Sequence, residues 1–297
     1  MMGRTVLVLA LAFGLCVCRL VSLALAEWVA LGLMICAGIP HGSFDLRVAE
    51  AKWRGGVFSR STILVCYLLS VFSMSALCVF VPSVGLALFL ALSALHFSEG
   101  ESDSNSRLGR VQGVLFGVGA ILLPIGLHTD LAQGYVQYFI ADSVFALLRG
   151  AIAGAAYVTA LFMAFFLTRQ FFAPTQRTSA DTVERLMCLC CWIMLPPLSG
   201  FAVWFIGRHS LNHLRVCKAM FAGSRFGIPL DFAAISVLAI IGLLPFATLF
   251  DFSQIEQLFA ASICLIAGLT LPHMIVSHRI KDVVKKQATS PAIVRLS

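Results

Sequence analysis

The sequence predicts an all-α, polytopic helical membrane protein, with about ten (eight to ten) transmembrane helices in one bundle. Three observations lead there. Hydrophobic residues fill 60% of the 297 positions and charged residues only 12%, too apolar a balance for a water-soluble domain of this length. The apolar stretches run about 15–25 residues, against the roughly 20 that cross a bilayer at 1.5 Å rise. They also lack the two-residue alternation of outer-membrane strands, which argues against a β-barrel.

Taken in order, spans are expected near 5–25, 28–45, 62–81, 84–97, 111–128, 147–170, 186–197, 200–220, 229–250 and 257–278. Arg4 precedes the first, and Ala24-Leu25-Ala26 after it resembles a signal-peptidase site, although an uncleaved helix is the expectation. The stretch from Met187 to Met220 is too long for one span and carries Pro196, Pro197 and Gly200, so the chain is expected to turn there. The hydrophilic stretches 47–60, 98–110, 172–184 and the tail are too short to bury cores of their own. Residues 1–297 therefore read as a single integral-membrane domain, with 279–297 a basic cytoplasmic tail.

Charge orients the bundle. Arg47, Lys52, Arg54 and Arg60, then Arg107 and Arg110, then Arg169 and Arg177, then Lys281, Lys285, Lys286 and Arg295 mark the inside. Asp130, Asp142, Asp251 and Glu256 mark connections on the outside. Both termini are thus expected in the cytoplasm, with the chain in the cell membrane. The formal charge of +7 comes mostly from these loops and the tail, with no aromatic-interleaved basic patch, so nucleic acid is not an expected partner. The ten cysteines lie in or beside apolar runs and read as small buried hydrophobes. Cys188, Cys190 and Cys191 lack the CxxC pairing of a metal scaffold.

The histidines carry the functional signal. His41 ends the second span, His96 the fourth, His209 and His213 lie in the eighth, and His273 and His278 close the tenth. All these helices run inward, so imidazoles arrive at one depth, where a bundle can gather them around an ion. His209 and His213 are spaced i, i+4, on one helix face. Pro40 and Gly42 flank His41 and loosen the helix around it. Asp45, four residues on, either orients a ligand imidazole or faces water. Glu99, Glu101 and Asp103 follow His96 as possible ligands, although an acidic loop is more often solvated. His273, beside Pro272, is the better candidate for a fifth imidazole or a substrate contact. His278, five residues and roughly 140° further round, reads as interfacial, and His128 as a loop residue on the opposite side.

Imidazoles alone suit iron, copper, zinc or nickel. A membrane haem protein or a transporter using the histidines as a proton or metal path are the rival readings. No mid-span lysine is present for a retinal Schiff base, and a single HxxxH pair is too few for a di-iron desaturase.

Pro40-His41-Gly42 with Asp45, His96-Phe97 with its acidic continuation, His209-Ser210 with His213, and Pro272-His273-Met274 together resemble the Brp/Blh family. These are bacterial and archaeal membrane β-carotene 15,15′-dioxygenases that make retinal for rhodopsins. The resemblance implies an Fe(2+)-dependent enzyme that uses O2 to cleave the central double bond of β-carotene, or a related carotenoid, into two retinal molecules. It implies His41, His96, His209 and His213 as iron ligands, with His273 and Asp45 in the outer shell or substrate cavity. A functional link to a retinal-binding rhodopsin would follow. Leu46-Arg47 after Asp45, Arg208 where an aromatic is common before His209, and His278 in place of a carboxylate depart from the family pattern. These departures bear on substrate identity more than on metal binding. A carotenoid is about as long as the ~30 Å hydrocarbon core is thick and partitions into lipid, which suits an intramembrane site.

Overall fold

Every regular element among the described residues is helical; these are residues 2–53, 59–101, 107–172, 179–221, 236–238, 240–278 and 280 of a computed structural model. Arg54, Asp103, Arg177, the start of the expected ninth span and the tail from Lys281 onward lie outside the described residues.

The chain opens with α1 (Met2–Val21) and α2 (Leu23–Leu33). The second helix runs on through a π turn (Met34–Gly38) and a 3-10 turn (Ile39–Phe44) into α3 (Asp45–Trp53). Then come α4 (Arg60–Phe80), α5 (Pro82–Glu101), α6 (Arg107–Gly126), short α7 (Thr129–Val136), α8 (Asp142–Phe172) and α9 (Ser179–Met194). A composite helix follows: α10 (Pro197–Trp204), a π segment (Phe205–Ser210) and α11 (Leu211–Met220). The short apolar helix α12 (Ser236–Thr248) precedes α13 (Ile255–Ser277). Seven units are long and apolar enough to cross a membrane: α1, α2 through α3, α4, α5, α6, α8 and α13. The polytopic helical architecture expected from hydropathy is therefore present. The other three expected spans coincide with the shorter α9, α10–α11 and α12.

The 129–146 connection is more structured than its hydropathy suggests, because Ala132, Tyr135 and Val136 of α7 are buried in the bundle. The break after α9 falls at the proline pair: Pro196 is the extended N-cap and Pro197 the first residue of α10. The exposed amides of that new helix would be costly in an apolar interior. Glu27 of α2 accepts from Leu198 N at 3.2 Å, Ser199 N at 3.0 Å and Ser199 Oγ at 2.8 Å. Tyr135 Oη donates to Oε2, the oxygen that also accepts from Leu198 N, at 2.7 Å.

α13 packs against α4, α5, α7, α3 and α2 and is the central post of the bundle. Its small residues Ala260, Ala261, Ala267 and Gly268 permit this closeness. A methyl group at Gly268 would meet Val71 O of α4 at 2.7 Å, so α4 and α13 touch backbone to backbone there. One continuous apolar core joins α1, α2, α5, α6, α9, α10 and α13.

Candidate metal centre

Four units deliver histidines to one place. His41 comes from the 3-10 turn after α2, His96 from the last turns of α5, His209 and His213 from the π segment and α11, and His273 from α13. His41 lies 4.7 Å from His273, 5.4 Å from His209 and 5.6 Å from His213, centroid to centroid. His96 lies 5.0 Å from His209 and 4.9 Å from His273, and His213 lies 4.9 Å from His273. Five imidazoles thus share one site. His128 and His278 are elsewhere: His128 Nε2 faces Trp192 O at 3.0 Å, and exposed His278 pairs with exposed Glu99 at 2.9 Å.

Local irregularity builds the site. Pro40 sits where the helix narrows to the 3-10 turn, and the His41 ring folds back so that Nδ1 meets Gly38 O at 2.6 Å. A carbonyl only accepts, so that nitrogen carries the proton and Nε2 keeps its lone pair. A side chain at Gly42 would press on Asp45 Oδ2 at 3.2 Å and His273 Nδ1 at 3.5 Å. π segments are uncommon and cluster at functional sites; here one places His209 against Phe97, Trp204 and Phe205 at 4.8, 5.3 and 5.7 Å. His209 and His213 both converge on His41, the first from the π segment and the second from α11.

Asp45 serves a different ring from its neighbour in sequence. Its two oxygens lie 2.8 and 3.0 Å from His273 Nδ1, while Tyr67 Oη donates to Oδ2 at 3.0 Å. A carboxylate on Nδ1 leaves the Nε2 lone pair free, as in many metal-bound histidines. His96 Nε2, His209 Nε2 and His273 Nε2 are all buried with no hydrogen-bond partner. Buried nitrogens left unpaired are costly unless they meet a ligand. His41, His96 and His209 offer donor atoms within 4.8 Å of one another, as do Asp45, His213 and His273. Opposite ligands of one ion at ~2.1 Å are ~4.2 Å apart, so the donor set fits a metal with small ring movements.

The acidic stretch after His96 divides. Glu99 is exposed, whereas Glu101 is buried and gripped by Arg208 through Nε at 2.8 Å and Nη2 at 2.8 Å. Trp204 Nε1 adds a bond at 3.2 Å, and Arg185 lies 3.4 Å away. Asp181 and Glu184 of α9 complete the cluster with Arg4 of α1. Sequence reading passed over this network. Its signal was Arg208 itself, a fixed charge inside an apolar run beside a histidine. Of the Cys188, Cys190 and Cys191 trio, the first and third are buried and the second is exposed.

Beside the histidines opens a cavity of about 430 Å³. Phe89, Phe97, Phe139, Phe201, Phe205 and Phe259 line it, with His41, His96 and His273 in its wall. Among its lining residues only Leu46, Leu68 and Leu238 are exposed. Its hydroxyls are largely occupied: Ser262 and Thr270 bond the carbonyls one turn back, Tyr67 bonds Asp45 and Tyr135 bonds Glu27. What remains is a greasy slot with imidazoles on one side.

Residues 32–281 match the family model described as beta-carotene 15,15'-dioxygenase. No curated protein and no solved structure matches the chain.

Proposed function

This chain belongs to the β-carotene 15,15′-dioxygenase family of oxidoreductases, and from that premise we propose that it cleaves the central double bond of β-carotene with O2 to give two molecules of retinal. The observation that carries the reading is the meeting of five imidazoles, three with orphaned Nε2 atoms, beside an apolar cavity inside a membrane bundle. His41, His96, His209 and His213 hold iron, joined by His273, and Asp45 orients His273. Bound Fe(II) supplies the redox centre that activates dioxygen. The cavity walls hold the polyene against the histidines and keep water out, which fixes the bond that reacts and shields what forms there. No proton donor is required, because the double bond breaks and each carbon takes one oxygen atom of O2. The helical bundle sits in the bilayer of the cell membrane with both termini cytoplasmic, and the retinal supplies a retinal-binding rhodopsin.

Rival uses of the histidines fit the geometry less well. Rings in edge contact at 4.7–5.6 Å leave no slot for a haem macrocycle between them. A proton or metal path calls for polar, hydrated walls, whereas these are phenylalanine and leucine.

Expression in β-carotene-producing cells tests the proposal. The parent is expected to bleach the orange colour and accumulate retinal, and His209→Ala to leave the colour intact. A variant that bleaches as fast as the parent would remove His209 from the ligand set.

A further inference from the structure

The cavity has a closed end, far enough from the histidines to hold half a carotenoid. Leu86, Phe89, Leu90, Ser93, His96 and Phe97 line it along α5. At 1.5 Å per residue, Leu86 lies ~15 Å from His96, and along α13 Phe259 lies ~21 Å from His273. A whole carotenoid is comparable to the ~30 Å hydrocarbon core, so its middle lies about 15 Å from either ring. Ala132, Tyr135, Val136 and Phe139 close the far end from α7 and the turn after it, and all four are at least nine-tenths buried. That wall is braced. Tyr135 is held at its hydroxyl by Glu27, which is fixed in turn by Leu198 and Ser199, and its ring packs on Phe259 at 5.1 Å. The exposed lining residues lie toward the histidines instead: Leu46 follows Asp45, Leu68 follows Tyr67, and Leu238 sits two residues after Ser236, whose hydroxyl bonds Cys36 O. One half of a long substrate therefore fits inward, and the other half leaves past the exposed leucines.

We propose that the wall formed by Ala132, Tyr135 and Phe259 is a molecular ruler: an end ring seats against it, and the bond cleaved is the one held opposite the histidines at that fixed depth. This rests on the cleavage reaction proposed above and adds the residues that choose the bond. The central position is selected by length measured from one ring, and nothing in the walls needs to recognise the midpoint of the polyene. The wall residues touch the substrate's end and not the reacting carbons, so they determine specificity without taking part in chemistry. At any bond the stoichiometry is unchanged. One C=C breaks, each of its carbons gains one atom of the same O2, and no further reductant is consumed.

An asymmetric substrate tests this with the unaltered protein. Purified, iron-loaded protein in detergent is given a shortened carotenoid with a β-ring at one end and an aldehyde at the other, and the products are identified by chromatography and mass. The ruler requires retinal from the ringed end, cut at the same distance from the ring as in β-carotene. Cleavage moved to the midpoint of the shortened chain overturns it. On β-carotene itself, Ala132→Leu and Phe259→Ala make the pocket shallower and deeper, and each is expected to lower the retinal share at least tenfold in favour of one longer and one shorter carbonyl product. Retinal as the sole product of both active variants overturns the proposal at any rate of turnover. A parent that makes no retinal from β-carotene overturns the underlying reaction, an outcome distinct from a parent that makes retinal but ignores ring distance.

Discussion

Asp45 shows how much one carboxylate does at a site it need not ligate. Accepting from His273 Nδ1 and from Tyr67 Oη, it fixes the ring's orientation and directs Nε2 away from itself. Groups of this kind typically contribute 10–100-fold to metal affinity. Asp45→Ala is expected to weaken Fe(II) binding by that range, read by metal titration of the purified protein, while Tyr67→Phe, which removes one of two donors, weakens it less. Equal affinity in Asp45→Ala and parent would show that His273 does not depend on the carboxylate. At this scale the composition was informative but the pairing was not. Asp45 stands beside His41 in sequence, yet the 3-10 turn swings it across to α13.

At the level of elements, the ligand-bearing helices are tied together just past their histidines. Glu101, five residues after His96, meets Arg208, the residue before His209, with both groups buried. The pair joins α5 to the π segment, while Asp181 and Glu184 of α9 and Arg4 of α1 balance the remaining charge. Removing one member of a buried pair costs about 3–5 kcal/mol, because the other charge stays behind without its partner. Arg208→Met is therefore expected to destabilise the protein in detergent by that order, whereas Glu101→Met with Arg208→Met should recover part of the loss. A double variant no more stable than the single one would mean the cluster does not hold the helices through this pair. Arg208 is accommodated inside the bundle by Glu101 from another helix, which neighbouring sequence could not reveal.

Across the whole molecule, the centre draws on segments far apart in the chain, from His41 to His273, so an ion bound there would link four helical units at once. A ligand that binds only the folded state stabilises it by about 2.7 kcal/mol at a free concentration 100 times its Kd. Anaerobic Fe(II) is therefore expected to raise the thermal midpoint of the parent, a chelator to reverse the rise, and His209→Ala to abolish it. An unchanged midpoint at saturating iron would separate the histidines from any role in holding the bundle together.

What the sequence determined was the class of molecule and the identity of the reactive groups. Long apolar runs leave a chain little choice but membrane helices, and histidines placed near the ends of separate helices are costly without a partner. The break at Pro196-Pro197 and the gathering of His41, His96, His209, His213 and His273 were likewise legible, because proline geometry is local and histidines near matching ends of several helices share a depth. Tertiary structure decided which ring Asp45 serves, that a π segment carries His209 into the site, that Glu101 binds Arg208, and where the cavity ends. Each of these depends on contacts between residues tens to hundreds of positions apart, and on small departures from regular helix that rotate a side chain to a new neighbour. Hydrophobic periodicity averages over such departures, whereas packing does not.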